Sequence, residues 1–197
     1  LGAPGNGPEG FMALFGWKLF GGRKGAQAER LGYTLYGAAV TAARQPFFYA
    51  DLGVPDTLDG RFDMVGLHSF MLIRRLTGEG PEGVRLAQAV FDAMFNDMDI
   101  NLRELGVGDL SVGKKVRVMW EAFHGRASAY ADAMAAGPEA LAEVLERNVW
   151  PGEPDQRLAA ANLARLAYAM DAHLSRLSLA QIKSGERLFL DPASVFA

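Results

Sequence analysis

VRLAQAVFDAMFNDMDINLREL, residues 84–105, decides how this chain folds. Val84, Ala87, Phe91, Met94, Met98 and Leu102 recur at three- and four-residue spacing, and Leu105 continues the arc. Arg85, Gln88, Asp92, Asn96, Asp99 and Arg103 form the opposite stripe. This is an amphipathic helix of about six turns, without the period of two that a half-buried strand requires. The consequence falls on the next stretch, GDLSVGKK at 108–115, which comes close to the phosphate-cradling pattern G-x-x-x-x-G-K-[S/T]. Gly108, Gly113 and Lys114 are in register, but the eighth position is Lys115, which has no hydroxyl for Mg²⁺. Such a loop works only between a strand and a helix. A helix running into it excludes the nucleotide-binding reading.

Outward from this rod the helical period continues in both directions. It predicts helices over 27–49, 57–77, 82–105, 111–135, 138–148 and 155–183. The punctuation agrees: Gly53-Val-Pro55 and Gly78-Glu-Gly-Pro81 are breakers, and Gly106 follows Leu105 as a C-terminal cap should. Pro138 suits a first helical turn, and Trp150-Pro151-Gly152 ends the helix it starts. Segment 57–77 is apolar nearly all round, with Phe62, Val65, Leu67, Phe70, Leu72, Ile73 and Leu76, which marks it as central. The expected fold is all-α: a single helical domain of about six to seven helices over 26–197, packed around that apolar helix. The tail at Leu188–Leu190 is expected to be extended. Residues 1–25, rich in glycine, are expected to be a flexible N-terminal segment, with Met12 the natural start and 1–11 a remnant ahead of it.

Composition bounds the function. The 197 residues are 50% apolar and 22% charged, with a net charge of −3, which argues against direct nucleic-acid binding. The absence of cysteine excludes disulfides, thiol nucleophiles and Cys-ligated zinc or iron–sulfur sites. No apolar run reaches the roughly 18 residues that span a bilayer. The aromatic stretch Phe11–Phe20 lacks the order of a signal peptide. Phe15, Trp17, Lys18 and Phe20 within it are candidates for contact with a membrane surface, with Arg23 and Lys24 following to meet anionic lipid. Gly16, Gly21 and Gly22 weaken the helix this needs, and docking onto the core or a partner is the other use.

Other lookalikes read blandly. Asp97-Met-Asp99-Ile-Asn101 opens like a calcium loop, but Leu102 stands where glycine is needed and Gly108 where a bidentate glutamate is needed. His68, His124 and His173 share no metal-binding spacing. His68, close to Met64, Met71 and Arg75 on the apolar helix, is read as a buried, hydrogen-bonded histidine, with a partner contact as the alternative. No nucleophile motif such as G-x-S-x-G is present, so no catalytic residue, metal or cofactor is assigned. Two oddities stand out. Lys114, Lys115 and Arg117 open a helix where cations oppose the macrodipole, which asks either for pairing with Asp109 and its neighbours or for a task outside the fold. Gly125 interrupts the same helix, which suggests a close helix crossing or a bend.

Taken in order, several of these stretches resemble a known family. They are Gly53-Val-Pro-Asp-Thr-Leu-Asp-Gly-Arg61-Phe62, then His68 and Arg74-Arg75-Leu76, then Phe95-Asn-Asp97-Met-Asp99. Leu102-Arg-Glu-Leu-Gly-Val-Gly-Asp109, Lys114-Lys115-Val116 and Phe123-His-Gly-Arg126 with Tyr130 complete the set. From about residue 31 to 192 the chain resembles the ubiquinol–cytochrome c chaperone family, in its alphaproteobacterial form. The resemblance implies an all-helical, non-enzymatic assembly chaperone that binds cytochrome b or complex III assembly intermediates. Mitochondrial members act with a small partner protein and at the mitochondrial ribosome. The implied setting is the cytoplasm, peripheral on the inner face of the cytoplasmic membrane. The partner-binding candidates carried over are Asp97, Arg103, Asp109, Lys114, Lys115 and Arg126. The competing reading is a helical carrier of a lipid, quinone or haem-like ligand, motivated by the apolar helix and by Met64, Met71, Met94 and Met98.

Overall fold

Four of the six expected helices, 57–77, 82–105, 111–135 and 138–148, are each present as one helix, and local chemistry sets their ends. The computed structural model describes residues 25–196. In chain order the helices are α1 (Gly25–Ala43), α2 (Pro46–Ala50), α3 (Leu58–Thr77), α4 (Gly80–Glu104), α5 (Asp109–Ala136), α6 (Pro138–Val149), α7 (Arg157–Arg176) and α8 (Leu179–Ser184). A 3₁₀ turn follows at Pro192–Val195, and no strand occurs among the described residues.

Two expected helices are each broken in two. The segment 27–49 divides because Gln45 precedes Pro46: the proline ring pushes Gln45 into extended backbone (ψ 135°), and Pro46 then starts α2. The segment 155–183 divides at Leu177, which is extended (ψ 133°). There Ser178 and Gln181 form a reciprocal capping box that starts α8. Residues 188–190 belong to no helix, and Leu188 is buried against the bundle.

The core is centred on α3. Thr57 caps it, its hydroxyl accepting from the Gly60 amide at 3.2 Å. From Asp63 to Ile73 every residue is buried, and α3 touches α1, α4, α5, α6 and α7. The four methionines Met64, Met71, Met94 and Met98 lie in this core.

The rod α4 is buried on a wider arc than its periodicity shows. Leu86, Val90 and Ala93 are covered as well, because α1 crosses it. At that crossing a methyl on Gly32 would stand 2.4 Å from the Ala89 carbonyl oxygen, so the two backbones meet directly. Gly125 differs from its expectation. It is exposed, nothing would lie within 4 Å of a methyl there, and it marks no close crossing.

The stretch after α4 is a Schellman turn. Val107 N donates to Leu102 O and Gly106 N to Arg103 O, both at 3.0 Å, with Gly106 at φ +80°. Asp109 then begins α5 at once. Helix, turn and helix leave no room for a phosphate loop. Leu105, expected on the apolar arc, is carried past the helix end by this turn and is 64% exposed.

Candidate partner-binding surface

The α4–α5 corner gathers most of the candidate residues. Arg103 in the last turn of α4 bridges two carboxylates. Its Nε lies 2.6 Å from Asp99, and its Nη1 pairs with Asp109 at the head of α5. Asp109 is therefore engaged with Arg103, and it does not compensate Lys114 and Lys115 by an ion pair. Both lysines are exposed, and among the described residues neither is held in an ion pair. Arg117 pairs with Glu121 one turn on, at 2.9 Å.

The other candidates are tied into the fold. Asp97, half-buried, accepts a hydrogen bond from the Tyr36 hydroxyl at 2.7 Å and so links α4 to α1. Burial, then this carboxylate, pushes the Tyr36 phenol well above its ordinary value. Arg126 places Nη2 2.9 Å from Oδ1 of Asp63 on α3, and its guanidinium lies over the Phe62 ring at 5.6 Å. Asp99, Asp97 and Asn101, the calcium-loop lookalike, sit within α4, and Asn101 donates back to the Asp97 carbonyl. Phe15, Trp17, Lys18 and Phe20, and the expected N-terminal segment up to residue 24, lie outside the described residues.

Behind the corner the middle of α5 is locked by rings. Phe91 lies 4.7 Å from Phe95 and 5.9 Å from Phe123, centroid to centroid, and Trp120 stacks on His124 at 3.9 Å. The His124 Nδ1 is 3.0 Å from the Trp120 carbonyl, and burial lowers its affinity for a second proton. This cluster holds α5 while leaving the outer face of its first half free. Leu110 is fully exposed and Val118 is 56% exposed.

A second feature is a cleft between α3 and α5, walled by Phe62, Phe70, Phe123 and Tyr130 and floored by Asp63. Its cavity volume of about 10 Å³ has room for about one water, far below the roughly 300–1,000 Å³ of small-molecule sites. Burial pushes the Asp63 carboxyl up to about 7; Arg126 pulls against this, and Asp59 adds to it. In the sequence Asp63 is one of two carboxylates, with Asp59, in a largely apolar segment, and nothing local sets it apart. Its partner is 63 positions away in sequence (126 − 63), beyond any local pattern.

His68 is buried and hydrogen-bonded, as read from the sequence, with Nδ1 2.7 Å from the Met64 carbonyl. It sits between the Phe48 and Phe189 rings, each 5.2 Å away. Burial pushes it down to about 4, so it stays neutral. Arg75, grouped with it in the sequence, is engaged elsewhere: Nε and Nη2 donate to the Leu174 and Leu177 carbonyls at 2.9 and 2.7 Å, capping the end of α7.

No helix among the described residues is long and apolar enough to cross a membrane. The chain is 26% identical over 102 residues to ubiquinol-cytochrome-c reductase complex assembly factor 1 of Xenopus laevis. The match takes in 52% of this chain and 51% of that one, so the chain spans about half the length of this curated relative. Its fold is similar to the crystal structure of the Cbp3 homolog from Brucella abortus, with a TM-score of 0.76 and 36% identity over 87% of this chain and 94% of that one. The family model described as ubiquinol-cytochrome C chaperone matches residues 50–189, from the end of α2 to the aromatic contact with His68. With that much of the bundle matched, the chain belongs to the ubiquinol–cytochrome c chaperone family, which is a family of chaperones and not of enzymes.

Proposed function

We propose that this protein is an assembly chaperone of the cytochrome bc complex. It holds cytochrome b, or an intermediate containing it, until further subunits join. One observation carries the reading: the family match covers residues 50–189, which takes in α3 to α8, and a Cbp3 homolog shares the fold. The chemistry is compatible with holding a client. The buried groups are engaged in packing, and the cleft is smaller than a small-molecule site. The methionines that motivated a ligand carrier fill the core.

Of the partner-binding candidates, Lys114 and Lys115 are the exposed ones held in no ion pair among the described residues, so they head the surface offered to a partner, with Arg103 and Asp109 at its edge. Asp97 and Arg126 would act through the fold they brace. The protein would work at the inner face of the cytoplasmic membrane, with a small helical protein as a second partner. The test is deletion of the gene in its own host, followed by quantitation of assembled complex III and of haem b. Loss of both, restored by the wild-type gene, is expected. Normal levels in the deletion strain would overturn the proposal.

A further inference from the structure

Beyond α8 the chain crosses the bundle as a strap. Gly185 and Arg187 stand at positive φ, +75° and +52°, and turn the chain back over the helices. For arginine that backbone is strained and persists only where contacts hold it. Among the described residues two hydrogen bonds tie 187–196 to the helices, both of them exposed. His173 Nε2 donates to the Arg187 carbonyl at 2.9 Å, and Arg165 Nη2 to the Val195 carbonyl at 2.8 Å. The rest of the hold is apolar. Leu188 and Pro192 are buried, Phe189 lies against His68, and Phe196 stacks on Phe47 at 5.6 Å beneath the Arg165 guanidinium.

Under the strap lies a polar atom that the closed fold does not use. His68 is 1% exposed, and its Nδ1 donates to the Met64 carbonyl, so Nε2 carries the free lone pair. That Nε2 is buried and accepts no hydrogen bond. A buried acceptor left unmatched costs stability, and the cost ends when water or a donor reaches it. The Phe189 ring, 5.2 Å from the imidazole, is the strap's part of the cover.

We infer that residues 187–196 are a detachable strap, and that the groove beneath it, walled by Phe47, Phe48 and His68, takes an aromatic-bearing apolar segment of the client in the strap's place. The strap shows what the groove accepts. It is a chain with rings seven positions apart (196 − 189), whose carbonyls are met by Arg165 and His173. Its few, exposed polar ties put it at the low-stability end of the fold, from which binding elements are drawn. Tethered in place, it keeps the aromatic groove from water until a client competes for it. The client is taken from the assembly role proposed above, whereas the opening of the strap stands on these contacts alone.

The experiment uses diethylpyrocarbonate, which carbethoxylates a neutral imidazole at its free nitrogen, with peptide mass spectrometry to separate the three histidines. Phe196→Ala and Arg165→Ala each loosen the far end of the strap, at Phe47 and Val195, away from His68. Each should speed modification of His68 about 5-fold or more, the equivalent of one lost hydrogen bond. His124 should react as in the wild type, and circular dichroism should be unchanged. A fluorescent peptide of residues 186–196 should bind full-length Phe196→Ala more tightly than wild type. The same peptide carrying Phe189→Ala and Phe196→Ala should not bind. Cytochrome b in detergent should protect His68 of the wild-type chain, and empty micelles should not. Unchanged His68 modification in both variants, or no peptide binding by Phe196→Ala, would overturn the strap. Cytochrome b that binds while His68 stays reactive would overturn the groove as its site and leave the assembly role standing. Cytochrome b that does not bind at all would overturn the client as occupant. A wild-type dimer that protects His68 and dissociates in the variants would do the same, in favour of a second copy's strap.

Discussion

Arg126 on α5 reaches Asp63 on α3 at 2.9 Å, so a carboxylate 4% exposed in the core is met by a guanidinium entering from the surface. The pair joins the central helix to the helix that carries the exposed lysines. It also makes the junction sensitive to protons.

Asp63 is held at about 7 in the fold, against 3.8 ordinarily. A carboxyl whose folded value is raised binds its proton more tightly folded than unfolded, so its contribution is full below about pH 4 and is lost as pH rises through 7. Urea unfolding should therefore show stability falling between pH 4 and 7, by up to a few kcal/mol from this group. Asp63→Asn should flatten that slope. An unchanged slope in the variant would show that other groups cause it.

Replacing Arg126 by Ala leaves Asp63 buried without its partner. A loss of about 2–3 kcal/mol is expected at pH 8, where the carboxyl is ionised, and a clearly smaller one at pH 5. Parallel denaturation curves at the two pH values check this; equal losses would mean that Arg126 acts by packing on Phe62 alone.

Gly32 and Gly125 should respond to Ala with opposite signs. At Gly32 the new methyl meets the Ala89 carbonyl and α1 must shift, costing about 1–3 kcal/mol. At Gly125 the methyl points into open space, and better helix propensity should add about 0.5–1 kcal/mol. Melting temperatures of the two variants decide it, and a destabilised Gly125→Ala would contradict the geometry.

Arg75→Ala should uncap α7. With the Leu174 and Leu177 carbonyls left without their donors, a loss of about 2–3 kcal/mol is expected. Hydrogen exchange should speed up around 174–179 before it does in α3. Uniform exchange would mean that the cap is dispensable.

Lys114→Glu with Lys115→Glu should leave the unfolding free energy within about 0.5 kcal/mol of wild type, as exposed substitutions do. It should also lower complex III recovery when supplied to a deletion strain. Asp97→Asn should behave the other way, losing about 1 kcal/mol through the Tyr36 bond. If the lysine variant restores complex III fully, those residues are not the working surface.

Much of this was legible in the residues themselves. The periodicity of 84–105 and the apolar circumference of 57–77 determined an all-helical bundle, because a helix's face repeats within four residues and needs no distant information. Glycine at 106 and Pro138 marked their boundaries for the same local reason. Where local signals competed, helical period was given too much weight, as at Gln45 before Pro46 and at the Ser178–Gln181 box.

Tertiary structure alone decided which charges are free. Arg103, Lys114 and Arg126 look alike in sequence as cations on amphipathic helices. One reaches across the turn to Asp109 at the head of the next helix, one is in no ion pair among the described residues, and one meets a buried carboxylate 63 positions away. It also decided that α4 is covered on two sides, because α1 approaches at Gly32. An ion pair or a helix crossing is a fact about two segments at once, and no period within either segment contains it.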